Sequence, residues 1–254
     1  MLSVPLKSVL AGLTLIGLAA CSVPPTARPS TPTSVATSAS PTQPQTGATQ
    51  TSAPKTSSTT RHILGLLDQI ETTELPPYHP GYDRSCERRG ACQFGEEWTD
   101  RHPGRFGRNG CTTREDVLLQ QLSDIEMRWG SSCRIYQASL LDPYSAERLT
   151  WREDGYWIQI DHVYPLAEAW HAGAWAWPQL RRVRFANDVR RELLAVSGRA
   201  NQDKGSATPS EWLPGNRAFR CTYVRRYLVV AKAYQLTITE ADREAIKRVA
   251  RRCT

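Results

Sequence analysis

The stretch Trp157-Ile158-Gln159-Ile160-Asp161-His162-Val163-Tyr164-Pro165-Leu166 decides how this chain is read. Ile158 and Ile160 alternate with polar neighbours, the period of a half-buried strand. Pro165 has no N–H for a ladder and ends that strand. Asp161 and His162 therefore stand where strand gives way to loop. There a carboxylate can hold a metal ion and an imidazole can act beside it. A second polar cluster follows: Asn187, Asn201, Lys204 and Gly205.

Towards the N-terminus the chain changes character. Residues 1–21 read as a secretory signal segment: Lys7, an apolar run, then small residues leading to Cys21. Leu18-Ala19-Ala20-Cys21 is similar to a bacterial lipobox, with Cys21 as the expected lipidation site. The run is short for a membrane span. The expected product is lipid-anchored on the extracytoplasmic face of the membrane. Residues 22–60 are mostly Ser, Thr, Pro, Ala and Gln, a composition that cannot bury enough apolar surface to offset its ordering entropy. They are expected to form a disordered tether. The remainder, 61–254, is expected to be one domain, with a motif core at 156–214 and a helical pair at 217–253.

Besides Cys21 the chain has six cysteines. An even count outside the cell indicates disulfides, and no CxxC points to zinc. Order along the chain favours Cys86–Cys92 as a local clip, Cys111–Cys133 across a helix, and Cys221–Cys253 joining two antiparallel helices. Charge is uneven: residues 181–254 carry 17 Lys/Arg against 7 Asp/Glu, whereas residues 1–180 carry 15 against 18. A basic half beside the polar cluster points to a polyanion, nucleic acid or an anionic envelope polymer; a merely solvated surface is the plain alternative.

Local signals place the motifs. Residues 61–71 have a helical apolar stripe. Thr112 and Glu115 have capping-box spacing, and Val117, Leu118, Leu122 and Ile125 predict a helix closing at Trp129-Gly130. Strands are expected at 133–140, 147–151, 156–161 and 193–196. Short helices are expected at 167–172, 180–187 and 199–205, and longer ones at 219–234 and 239–252. His79, His102 and His171 read as residues outside any metal set, and Trp170, Trp175, Trp177 and Trp212 as core or wall.

The block IQIDHVYPLAEAW, RRVRFANDVRRELLAVSGRANQDKG and PSEWLP resembles the HNH endonuclease superfamily, and more closely the secreted bacterial proteins related to the C-terminal domain of GmrSD restriction enzymes. The likeness covers roughly residues 108–254. It implies an α+β fold with a ββα-metal core inside a mainly helical, disulfide-bonded domain. It also implies a divalent-metal-dependent hydrolysis of DNA phosphodiester bonds with low sequence specificity. Under that resemblance Asp161 and Asn201 are the metal ligands, His162 is the general base, Asn187 steadies the loop that holds the base, and Lys204 braces the scissile phosphate or places the helix. An oxygen-rich donor set favours one Mg²⁺ or Mn²⁺ ion. Arg182, Arg184, Arg191 and Arg199 are candidate phosphate contacts, with nucleic acid, DNA foremost, as the partner. Each residue also has a plain reading: Asp161 as a turn cap, His162 as a satisfied buried histidine, the two Asn as loop residues, Lys204 as surface charge. Two other functions remain beside the enzyme: an inactive nucleic-acid-binding module, and a structural envelope lipoprotein.

Overall fold

Residues 57–152 and 157–254 are described by the computed structural model. The signal segment, Cys21 and most of the tether lie outside them. Helix α1 spans Ser58–Leu67 with Ser57 as its N-cap, so the last three residues of the expected tether are helical. The Ser57 side chain accepts from Thr60 N and donates to the Cys253 carbonyl, which docks the start of the domain on its end. A two-residue strand β1 (Thr72–Thr73) pairs in parallel with β7 (Ile238–Thr239) and closes the same seam.

Helix α2 runs Thr113–Gln121 and opens with the reciprocal Thr112/Glu115 capping box. It stops well short of Trp129. Leu122 is already extended, and Ser123–Met127 form strand β2, so Ile125 belongs to a sheet and not to the helical stripe. β-Branched Ile125 suits the pleat, and the register slips between Ser123 and Glu126, beside Asp124 with its φ of 52°. β2 pairs antiparallel with β3 (Ile135–Leu141), which pairs with β4 (Arg148–Arg152).

The strand read from the opening stretch is β5, Ile158–His162. It pairs antiparallel with β6, Leu193–Ser197, with Asp161 opposite Leu194 and His162 opposite Leu193. Between them lie α3 (Leu166–His171), a 3-10 turn at Ala174–Ala176, and α4 (Gln179–Ala186). Ser197 then caps α5, Gly198–Lys204. This two-stranded ribbon separates two apolar clusters. Ile158, Ile160, Leu193 and Ala195 face α2 and β3, whereas Leu194 and Val196 face an aromatic-rich core built on the C-terminal helices. Period-two alternation divides the ribbon in this way.

The C-terminal helices are α6 (Arg220–Tyr234) and α7 (Glu240–Ala250). Thr239 and Asp242 make a full capping box at the start of α7. Disulfides join Cys86–Cys92, Cys111–Cys133 and Cys221–Cys253, the pairing that order along the chain favours. The fold is thus a mixed α+β domain with three disulfides.

Candidate active site

The end of β5 opens into a cavity of about 540 Å³ whose lining includes Asp161, His162, Asn201 and Gln159 from the motif core. Strand alternation turns Asp161 and His162 to opposite faces. Asp161 looks towards α5 and is 4% exposed. Lys204 Nζ donates to its Oδ1 at 2.8 Å, and the Tyr144 hydroxyl donates to Oδ2 at 2.5 Å. Lys204 Nζ also donates to the His162 carbonyl at 2.9 Å. One buried ammonium therefore ties the helix to two consecutive residues of the strand end. Burial raises the Asp161 carboxyl above its ordinary range, while Lys204 and Tyr144 pull it back. The Lys204 side chain has no exposure, and its contacts join α5 to the strand end.

His162 is half-buried. Its Nε2 lies 3.0 Å from the Ala186 carbonyl. A carbonyl only accepts, so Nε2 carries the proton and Nδ1 keeps its lone pair. That carbonyl is available because Ala186 ends α4 and has no donor from a following turn. Asn187, the C-cap of α4, donates Nδ2 to Val183 O at 2.9 Å and so holds the helix end that presents Ala186. Its buried Oδ1 has no hydrogen-bond partner. On the other side, the indole of Trp98 stacks on the imidazole, with centroids 5.6 Å apart and planes 14° from parallel. Burial pushes the imidazole down to about 3, with the Ala186 bond partly opposing it. Burial thus favours the neutral imidazole near pH 7.

Asn201 donates Nδ2 to Gln159 Oε1 at 2.9 Å, which leaves its amide oxygen without a donor among the described residues. A hard divalent cation fits this donor set in one way. Each Asp161 oxygen has one hydrogen bond and a second lone pair, and Asn201 supplies a free oxygen. Among the described residues no group of three or more His, Cys, Asp or Glu surrounds the spot. Such a site suits Mg²⁺ or Mn²⁺, which keep waters and add a substrate phosphate, and does not suit a closed zinc site.

The four expected phosphate arginines do not line the cavity. Arg182 is committed elsewhere: its guanidinium donates to the carbonyls of Gln93 and Trp177 and packs over the Trp170 ring. Arg191 pairs with Asp188 at 3.2 Å. Arg184 and Arg199 are exposed outside the lining. The arginines that do line it are Arg84, which pairs with Glu97, and Arg114, which donates to Ile158 O at 2.9 Å. A long guanidinium stem can cap carbonyls as readily as it can face solvent, and charge clustering in sequence does not tell the two apart.

Three further residues were not readable from the motif. Tyr144 lies in a segment whose only local signal is a turn. Trp98 has a φ of 52°, rare for a non-glycine residue, and is pinned by Thr113 N donating to its carbonyl. Glu192 is fully buried and accepts from Tyr164 N, and burial, with Asp161 nearby, pushes its carboxyl well above the ordinary range. His102 is buried and accepts from Gly104 N, and His171 accepts from His79 N.

Against this geometry the comparisons with known proteins can be set. The family model for the C-terminal domain of GmrSD restriction endonucleases matches residues 112–249, more than half of the chain. The chain belongs to this family. The match begins at the N-cap of α2 and includes the β5–β6–α5 unit, but not Trp98 or Arg84. An "uncharacterized secreted protein" of Arthroderma benhamiae is 35% identical over 144 residues, 56% of this chain and 68% of the relative. No solved structure matches. Membership of the GmrSD C-terminal domain family gives the chain a nuclease-related function. Among the described residues no helix is long and apolar enough to cross a membrane.

Proposed function

We propose that this GmrSD-related chain is a divalent-metal-dependent HNH endonuclease. It would hydrolyse phosphodiester bonds of DNA, with low sequence specificity, outside the cytoplasm. The observation that carries the proposal is the state of His162. Its Nε2–H is used on the Ala186 carbonyl, one face of its ring is stacked by Trp98, and its remaining nitrogen is unprotonated in a residue that lines the cavity. A satisfied structural histidine needs neither the cavity nor the stack.

The β5–β6–α5 order, with Asp161 and His162 at the end of the first strand and Asn201 on the helix, supports a ββα-metal core. His162 accepts the proton of an attacking water. Asn187 keeps the end of α4 in place, and through Ala186 the imidazole tautomer. Lys204 and Tyr144 hold the Asp161 carboxylate in one orientation, so no side-chain reorganisation is required when substrate arrives. Asp161 and Asn201 would hold one Mg²⁺ or Mn²⁺, which supplies charge stabilisation for the phosphoryl oxygens and the leaving 3′ oxygen. Arg84 and Arg114, not the four arginines of the basic half, are the cavity's cations for backbone phosphates.

The secretory segment and Cys21 support export and lipid anchoring, with the three disulfides as a consequence of an oxidising compartment. Radiolabelled palmitate incorporation tests the anchor: label is expected in the wild type and absent from Cys21→Ala. The enzyme is tested by plasmid relaxation with Mg²⁺ or Mn²⁺. Nicking by the wild type and none by folded His162→Ala is the expected result; equal activity in both defeats the assignment.

A further inference from the structure

A second cleft, of about 650 Å³, lies between the Pro209–Leu213 segment, the start of α6 and one face of α7. Nothing in the proposed catalytic chemistry uses it. Its floor is apolar: Leu213, Ala245, Val249 and the Cys221 end of the Cys221–Cys253 disulfide. Its rim carries Arg217, Arg220, Arg248 and Arg252. Arg220 is engaged, donating Nε to the Pro214 carbonyl at 2.7 Å. The guanidinium groups of Arg217, Arg248 and Arg252 have no hydrogen bond or ion pair among the described residues, and all three residues are exposed.

Arg248 and Arg252 stand four apart on α7 and so share one face, where like charges destabilise a helix. Two carboxylates stand near them: Glu211 in the lining, and Glu244 one helical turn before Arg248, which feels the Arg248 charge. Glu211 Oε2 accepts from Thr208, and Glu244 accepts from Lys247 Nζ at 2.7 Å. The cleft therefore has four arginines against one carboxylate, Glu211, in its lining, over apolar side chains and beside the Trp212 indole. Trp212 packs edge-on against Tyr144, centroids 4.9 Å apart, and Tyr144 holds Asp161. The cleft is thus two side chains from the strand end and still separate from it.

We propose that this cleft is a second substrate contact, which grips the sugar–phosphate backbone of a nucleic acid away from the cut. Phosphates meet the rim arginines, and the apolar floor with Trp212 accepts the flat face of a base or sugar, the pairing found at single-strand sites. The contact is sequence-independent, because guanidinium–phosphate bonds carry no base information. The identity of the polyanion rests on the nuclease reading, so the experiment measures binding and not cleavage.

The full-length chain carrying His162→Ala, which removes cutting, is titrated with a 20-nucleotide DNA in single- and double-stranded form across a NaCl series. Arg248→Glu/Arg252→Glu is compared with Arg148→Glu/Arg152→Glu on β4, an equal change of net charge. The α7 pair is expected to weaken binding about tenfold or more at 0.1 M salt. It should also lower the slope of log K against log[salt] by about 1–2, the loss of one or two phosphate contacts. The β4 pair should change affinity by less than about threefold. Equal losses for the two pairs, or no loss for either, overturn the proposal. So does a loss of binding to anionic phosphatidylglycerol vesicles with DNA affinity intact, which would make the cleft a lipid site. Should the α7 pair fail to fold by circular dichroism, Arg217→Glu on the 3-10 turn at Arg217–Phe219 reads the same cleft. If the wild type never cuts DNA while the α7 pair still binds it more weakly, the nuclease reading fails and the cleft stands.

Discussion

Lys204→Met breaks a charge pair that water cannot reach. The Lys204 side chain has no exposure and Asp161 is 4% exposed, with 2.8 Å between them. Met keeps the apolar stem and removes the ammonium. Asp161 is left buried with Tyr144 as its one remaining donor among the described residues, and the His162 carbonyl loses its Lys204 partner. Removing one member of a buried pair costs about 3–5 kcal/mol. In a domain of this size that is about 6–20 °C in Tm. Asp161→Asn in the same background removes the stranded charge. The double variant should therefore be more stable than the sum of the single losses, with a coupling of about 1.5–3 kcal/mol. The assay is urea unfolding of oxidised protein at pH 7 with EDTA, all four members of the cycle alongside. If Lys204→Met costs less than about 1 kcal/mol, or the two changes add within about 0.5 kcal/mol, the pair does not tie α5 to the strand end and the positioning role is wrong.

Other outcomes follow from the same geometry. His162 is held down to about 3, so the turnover profile should lack the acid limb of an ordinary histidine. A base titrating near 6.5 loses about 30-fold between pH 8 and pH 5, whereas His162 should lose almost nothing. The sign for stability runs the other way from a salt-bridged histidine. Its unfolded form binds the proton that the folded form refuses, so His162 favours folding above pH 6.5 and that contribution is lost as pH falls towards 3; urea midpoints from pH 7 to pH 4 check it. Trp98→Ala frees one face of the imidazole and should lower kcat about tenfold or more, with KM moving less and Trp98→Phe restoring most of the loss; an unchanged kcat rules out the stack as a positioning contact. Replacing Cys221 and Cys253 by Ala opens a link with a sequence separation of 32 and should lower the unfolding free energy measured in urea by about 3–4 kcal/mol.

The motif elements were legible because their signals are local. Ile158 and Ile160 set the strand, Pro165 ends it, Ser197 caps α5, and the capping boxes at Thr112 and Thr239 each span one helical turn. Ile125 was misread because Leu122 completes a helical stripe and an extended cap looks the same in one dimension. Around the site, sequence supplied Asp161, His162, Asn187, Asn201 and Lys204 but not the contacts between them. Tyr144 reaches Asp161 from a separation of 17 residues, and Lys204 reaches it from 43. Trp98 comes from a segment with no periodic pattern and meets His162 because Thr113 pins its backbone. Such contacts are set by packing of remote segments, which no local period encodes. Charge clustering has the same limit: Arg182 and Arg191 bond the protein's own carbonyls and carboxylate, while Arg84 and Arg114 line the cavity.

The most direct test is plasmid relaxation by oxidised full-length protein, titrated with Mg²⁺ and Mn²⁺, with folded His162→Ala alongside. Metal-dependent nicking that disappears in the variant is the result expected of a neutral His162 base beside Asp161 and Asn201. No nicking by the correctly disulfide-bonded wild type, or equal nicking by both proteins, would contradict it.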